Sequence, residues 1–153
     1  MKRCFSAILA ILLLVCLLPC NTLAAEPTTA NESIEYYADG SYLVTTITER
    51  VSRASGTKTQ SKAQSYYDSS DNLEWKITLT GTFTYNGTSA TCTSASCNVD
   101  VYASNWYLIS KSASKSGNTA SSDVTMGQKL LGITISKPNY TMTLTCDKDG
   151  NFS

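Results

Sequence analysis

Apolar and polar side chains alternate strictly over residues 73–85. The odd-numbered positions are apolar or glycine, and the even-numbered positions are charged or threonine. Because successive side chains of a strand point to opposite faces, this period of two predicts a half-buried β-strand. The face predicted to enter the core carries Leu73, Trp75, Ile77, Leu79, Gly81, Phe83 and Tyr85.

Asn86-Gly87 directly follows this segment and is the strongest short signal for a hairpin, since both central residues of a type I′ turn need positive φ. A two-residue loop would fix the register of the returning strand. It predicts the pairs Tyr85–Thr88, Phe83–Ala90 and Gly81–Cys92, with open space at Gly81 opposite the cysteine.

The same period of two recurs along most of the chain, with turn signals between the segments. Further strands are predicted at residues 41–51, 57–67, 98–103, 106–115, 120–126, 129–136 and 140–146. No segment after the N-terminal region has helical periodicity. About eight short strands with frequent turns predict an all-β fold, an antiparallel β-sandwich with the immunoglobulin-like shape as one form, in a single domain over residues 35–153.

The N-terminal region has a different pattern. Lys2 and Arg3 precede an unbroken apolar run at residues 8–18, and small residues follow up to Ala24 and Ala25. This is the pattern of a secretory signal peptide over residues 1–24, with cleavage after Ala24 or Ala25. A membrane anchor would need about 20 apolar residues. We therefore expect a secreted, extracellular protein, with residues 25–34 as a flexible lead-in.

Composition narrows the classes of function. The chain has 12 basic and 12 acidic residues and no histidine, while 21 Ser and 21 Thr supply many hydroxyl groups. The balanced charge argues against a nucleic-acid partner, which needs a basic surface. The absence of histidine excludes Ser-His and Cys-His catalysis and histidine-ligated metals.

Three cysteines remain after the predicted signal peptide: Cys92, Cys97 and Cys146. Cys92 and Cys146 both end alternating strands on the apolar face, so a disulfide between them would cross the core. A bridge between Cys92 and Cys97 would close a short loop instead, and free buried thiols are the third alternative. The chain-entropy model favours the longer loop, at roughly 4 kcal/mol against about 2 kcal/mol.

Catalytic and metal sites find little support. Asp147, Asp149 and Asn151 resemble the start of a calcium loop, but no later bidentate carboxylate follows, so a polar turn is the better interpretation. Glycoside hydrolysis would need two convergent carboxylates. The candidates, such as Glu49, Glu74 and Asp123, lie at alternating polar positions, which a solvated face explains. We expect no metal, no cofactor and no enzymatic activity.

Two features concern binding. Trp106 and Tyr107 are candidate ligand contacts, because adjacent strand residues face opposite sides and one ring can be exposed. The hairpin predicted at Gly117-Asn118 has serine and lysine on its flanking strands and no lipid-like face. We therefore expect no stable membrane insertion of the mature chain.

Several runs resemble one bacterial family. These are Leu-Thr-Gly-Thr-Phe-Thr-Tyr-Asn-Gly-Thr-Ser-Ala-Thr-Cys at 79–92, Trp-Tyr at 106–107, Lys-Ser-Ala-Ser-Lys-Ser-Gly-Asn at 111–118 and Thr-Leu-Thr-Cys-Asp-Lys-Asp-Gly-Asn at 143–151. They resemble uncharacterised small secreted proteins of Gram-positive, clostridia-like bacteria. The resemblance implies bacterial export and supports pairing Cys92 with Cys146, but it carries over no functional residues.

Taken together, the sequence predicts a secreted, non-enzymatic binding protein for an unknown extracellular ligand, either a glycan or a surface protein. A structural or protective module without a specific ligand is the alternative. A secreted hydrolase or toxin is the third and least favoured class.

Overall fold

The computed structural model describes residues 28–50 and 56–153, and this part of the chain is all-β, without a helix. Its nine strands are β1 (Thr28–Tyr36), β2 (Tyr42–Arg50), β3 (Gly56–Tyr67), β4 (Leu73–Tyr85), β5 (Ala90–Val101), β6 (Trp106–Ser116), β7 (Thr119–Leu130), β8 (Ile133–Ser136) and β9 (Asn139–Thr145). The all-β prediction is confirmed, with nine strands where about eight were expected.

The strands form two antiparallel sheets that pack as a sandwich. The first sheet is a meander with the order β1-β2-β3-β4-β5. In the second sheet β7 pairs with β6 on one side, while β9 and β8 pair with successive parts of its other side. Immunoglobulin strands pass repeatedly between sheets. Here the first five strands all belong to one sheet, so the topology is not that of an immunoglobulin domain.

The core lies between β4 of the first sheet and β7 and β9 of the second. Trp75, Ile77, Leu79, Phe83 and Tyr85 are all buried, as the alternation predicts. They pack against the buried row of β7 and against Met142, Leu144 and Cys146 near the end of the chain. The outward residues of β4 are threonine, lysine and glutamate, which suits a sheet with one solvated face.

The predicted register after Asn86 is wrong. Tyr85 pairs with Ala90 and Phe83 with Cys92, so the connection has four residues instead of two. The Asn86 side chain accounts for this, because its Oδ1 accepts hydrogen bonds from the backbone N–H groups of Thr88 (3.0 Å) and Ser89 (2.9 Å). A register shift between Thr82 and Phe83 then moves the partner of Gly81 to Ala95.

Other boundaries also differ from the predictions. Residues 28–34, expected to belong to a flexible lead-in, lie in β1, because they pair with β2 along their whole length. Residues 31–36 are exposed, so no apolar alternation marks this strand. The strand predicted at 129–136 is divided by a turn at Leu131-Gly132 between β7 and β8. The signal-peptide prediction lies outside the described residues.

Candidate functional site

A cleft of about 340 Å³ opens where the two sheets meet at one end of the sandwich. The first sheet contributes the β1–β2 turn and the end of β3, and the second contributes the start of β6, the end of β7 and the β8–β9 connection. Aromatic and polar side chains share the lining, which consists of Tyr37, Asp39, Ser41, Tyr66, Trp106, Gln128, Ser136, Pro138 and Tyr140.

The aromatic rings of the cleft belong to one packed cluster. Tyr66 stacks on the buried Trp75 with ring centroids 5.3 Å apart and planes 6° apart. Trp106 packs edge-on against Tyr66 with ring centroids 5.4 Å apart. The ring centroids of Tyr140 and Trp75 are 4.5 Å apart. Such pairs hold one another in position. The cluster therefore supports the aromatic surface of the cleft from below, while Tyr37, 36% exposed, remains accessible at the rim.

Three polar groups of the cleft form a directed hydrogen-bond chain. The Tyr66 hydroxyl donates to Ser41 Oγ at 2.8 Å, and Ser41 Oγ donates to Asp39 Oδ1 at 2.6 Å. The backbone N–H of Ser41 also donates to Asp39 Oδ1. The Ser41 hydroxyl and then its N–H lower the pKa of Asp39. Asp39 is therefore a carboxylate at neutral pH, and it keeps further capacity to accept hydrogen bonds.

The charged group in the described lining of the cleft is negative. Burial raises the pKa of Tyr140, with smaller effects from Tyr37, Tyr66 and Glu35. Burial and then the charge of Glu35 raise the pKa of Tyr37. Both phenols therefore stay neutral hydrogen-bonding groups at neutral pH. Asp39 is the charged residue of the described lining, so the cleft suits neutral, hydroxyl-rich or cationic ligands better than anions.

The two predicted contact residues are separated by the pleat of β6. Trp106 is buried and lines the cleft. Tyr107 points to the other face, where its ring covers Gly127 and its hydroxyl is 2.8 Å from that of Thr134. One residue of the predicted pair thus lines the cleft, and the other does not.

The cleft residues of the first sheet, which were not among the predicted contacts, come from two similar corners. Tyr36-Tyr37 precedes the turn at Asp39-Gly40, and Tyr66-Tyr67 precedes the turn at 68–72. This repeated pair of tyrosines before a turn is the feature of the sequence that could have indicated these residues. It does not show that Tyr37 and Tyr66 meet, since that depends on the pairing of β2 with both β1 and β3.

The three described cysteines are free thiols, so the predicted disulfide between Cys92 and Cys146 is not formed. Each thiol instead donates to a nearby backbone carbonyl, Cys92 to Ser94, Cys97 to Asn98 and Cys146 to Asp147. The two cysteines nevertheless flank one turn, since the N–H groups of Cys92 and Cys146 donate to Gly117 and Asn118 respectively. Burial raises the pKa of each thiol, which disfavours a reactive thiolate.

The suspected calcium loop is a polar turn. Asp147 accepts hydrogen bonds from the backbone N–H groups of Asp149 and Asn151 and from the Asn151 side chain. Its carboxylate is thus engaged by its own loop. Among the described residues no group of three or more acidic, cysteine or histidine side chains is placed to hold a metal ion.

Fold and cleft define a small antiparallel β-sandwich with an aromatic cleft at the junction of its sheets. The structure is similar to the crystal structure of a hypothetical protein from Listeria monocytogenes EGD-e. The match has 18% sequence identity and a TM-score of 0.43, and it covers 81% of this chain and 95% of that one. No protein-family model and no curated protein matches the chain. In residues 28–50 and 56–153 no helix is long and apolar enough to cross a membrane.

Proposed function

We propose that the protein is a secreted, non-enzymatic binding protein whose cleft takes a neutral glycan. The observation that carries this proposal is the cleft itself, in which aromatic rings stand beside an ionised carboxylate and a fixed hydroxyl chain. Export rests on the signal-peptide pattern of residues 1–24.

The chemistry of the lining suits a sugar ring. A pyranose has one weakly polar face that packs on an aromatic ring and a rim of hydroxyls that need hydrogen-bond partners. Tyr37 and Tyr140 supply the rings, and Asp39 and Gln128 supply acceptors and donors. The volume of about 340 Å³ falls at the small end of the roughly 300–1,000 Å³ typical of ligand sites. A short segment of a chain therefore fits better than a large ligand.

The same lining supports the proposal of binding without hydrolysis. Glycoside hydrolysis normally uses two carboxyl groups on opposite sides of the scissile bond, about 5–9 Å apart. Within the described lining Asp39 is the carboxylate. A single ionised carboxylate positions hydroxyls but supplies no general acid.

Both tryptophans of the chain, Trp75 and Trp106, lie in the cleft's aromatic cluster. Their fluorescence therefore reports directly on occupancy. We expect titration with neutral oligosaccharides of glucose or N-acetylglucosamine to change the emission, and acidic oligouronides to do so more weakly. Tyr37→Ala should weaken binding about tenfold, the value of a lost aromatic stack.

The control is Tyr36→Ala, a change at the adjacent and more exposed tyrosine, whose ring lies tilted against that of Tyr42 at 5.6 Å and does not line the cleft. It should bind as the wild type does. If neutral glycans leave the emission unchanged, or if Tyr37→Ala binds them normally, the proposal is wrong.

A surface protein is the second candidate ligand, and a specific feature of the first sheet favours it. β1 is an edge strand of nine residues whose outer side has no strand partner among the described residues. Exposed strand edges add a partner's strand through main-chain hydrogen bonds. Glu32 and Glu35 would favour a basic segment there.

A further inference from the structure

The hairpin of β7 and β8 differs from the rest of the surface. All four residues of β8 are exposed, and among the described elements its backbone approaches only β7. Four exposed apolar side chains lie close together on this hairpin and form what we call the apolar tip: Leu130, Leu131, Ile133 and Ile135. A two-stranded ribbon without a packed face is marginally stable. The apolar tip is therefore a surface that gains stability by being covered.

The turn of this hairpin contains Leu131, a residue type that rarely adopts a positive φ. Leu131 has φ of 50° and Gly132 has φ of 82°, the signs of a type I′ turn, which favours Asn-Gly. The other described non-glycine residue with positive φ is Asp71, a type that tolerates this region. Leu131 is 95% exposed, so packing does not explain it. Strain combined with an exposed apolar side chain points to a role in binding.

Along the chain, the charged residues nearest the tip have one sign. Between Asp123 and Asp147 the charged residues are Lys129, near the end of β7, and Lys137, directly after β8. Lys129 Nζ lies 4.6 Å from the ring centroid of Tyr107. An apolar end followed by lysine and tyrosine is the arrangement that suits a membrane interface, where amphipathic side chains reach the headgroups.

We propose that the apolar tip inserts into the outer part of an anionic lipid bilayer, with Lys129 and Lys137 at the phosphate groups. The contact is peripheral, because four residues of strand span about 13 Å and a bilayer core is about 30 Å thick. It does not require the stable insertion that the sequence argues against. A second copy of the chain fits less well, since pairing two tips brings their lysines together and a standard interface needs roughly 20–30 residues a side.

The protein is expressed from the full sequence and purified in the form that the host produces. It is mixed with vesicles of phosphatidylcholine alone and with vesicles of equal parts phosphatidylcholine and phosphatidylglycerol, and the bound fraction is measured by sedimentation. We expect binding to the anionic vesicles that weakens as salt rises. Leu131→Asn should reduce binding about tenfold or more, because it removes the apolar group while suiting the positive φ.

Ile34→Asn is the matched control, since Ile34 is also exposed but lies on β1 in the other sheet. It should bind as the wild type does, and Lys137→Gln should reduce the preference for anionic vesicles. No binding to anionic vesicles, or equal binding by Leu131→Asn, would overturn the proposal. Self-association of the wild type that Leu131→Asn abolishes, without vesicle binding, would assign the tip to a second copy instead and reject the lipid.

Discussion

Two glycines owe their presence to the aromatic rings that cover them. A Cβ on Gly81 would lie 2.5 Å from Phe83 Cε2 and 3.1 Å from the Cβ of Ala120. A Cβ on Gly127 would lie 2.2 Å from Cζ of Tyr107. The distances to the two rings, 2.5 Å and 2.2 Å, are far below van der Waals contact. At these positions glycine serves close packing by a ring, and the open space predicted at Gly81 is filled by Phe83.

Gly81→Ala should lower the free energy of unfolding by about 1–3 kcal/mol, because the new methyl group must displace a buried ring. Urea unfolding followed by tryptophan fluorescence measures the change. In a Phe83→Leu background the same substitution should cost less, since the clash is with the ring. An equal cost in both backgrounds would show that the ring is not the cause.

At the scale of elements, one five-residue turn occurs three times. In residues 37–41, 68–72 and 147–151 the first N–H donates to the fifth carbonyl, and the fourth N–H donates to the first carbonyl. The fourth residue has positive φ each time. Asp68 and Asp147 occupy the first position and bind the N–H groups of the third and fifth residues. In the turn at 37–41 the aspartate, Asp39, is the third residue. The first residue is Tyr37, which lines the cleft.

The aspartates of the turns at 68–72 and 147–151 predict that the folded state loses stability in acid. The side chain and then the backbone N–H of Asn72 lower the pKa of Asp68, and Asn151 does the same for Asp147. A carboxyl with a lowered pKa in the folded state stabilises it above the unfolded pKa, near 3.9. That stabilisation is lost as the pH falls through the lower folded value.

The free energy of unfolding, measured in urea from pH 7 to pH 2, should therefore fall below about pH 4. The double variant Asp68→Asn/Asp147→Asn should be less stable at pH 7 and should show a smaller fall. Ser70→Ala, which changes the turn at 68–72 without removing its carboxylate, should keep the full fall. An unchanged acid response in the double variant would contradict this account.

At the scale of the whole molecule, the two sheets share one core. Trp75 belongs to the first sheet and Trp106 to the second, and their ring centroids are 6.0 Å apart. Phe152, after the last strand, packs edge-on against Phe83 of β4 at 5.3 Å. Neither sheet buries its apolar face without the other, so we expect them to unfold together.

Leu144→Ala tests this cooperativity. Leu144 is fully buried on β9, and its truncation should cost about 2–5 kcal/mol. Far-ultraviolet circular dichroism and tryptophan fluorescence should give the same unfolding midpoint before and after the change. Leu130→Ala, at an exposed position, should change stability by less than about 0.5 kcal/mol. Separate midpoints for the two signals would mean that the sheets are independent.

The sequence by itself determined which face of β4 and of β9 is buried. The alternation at 73–85 and 140–146 depends only on the two-residue period of a strand, and Trp75, Leu79, Met142 and Leu144 are buried as it requires. The hairpin turn at Gly117-Asn118 was equally local, and the paired strands β6 and β7 directly flank it. Both features can be predicted from the sequence because they depend only on residues that are neighbours in the chain.

Tertiary structure alone decided register, edges and the cleft. A register shift between Thr82 and Phe83 paired Gly81 with Ala95, and β1 became a strand only through its pairing with β2. The cleft joins Tyr37, Tyr66, Trp106 and Tyr140 from four separate parts of the chain. No local pattern specifies such a meeting, because it depends on the long-range pairing of strands and on how two sheets close over one core.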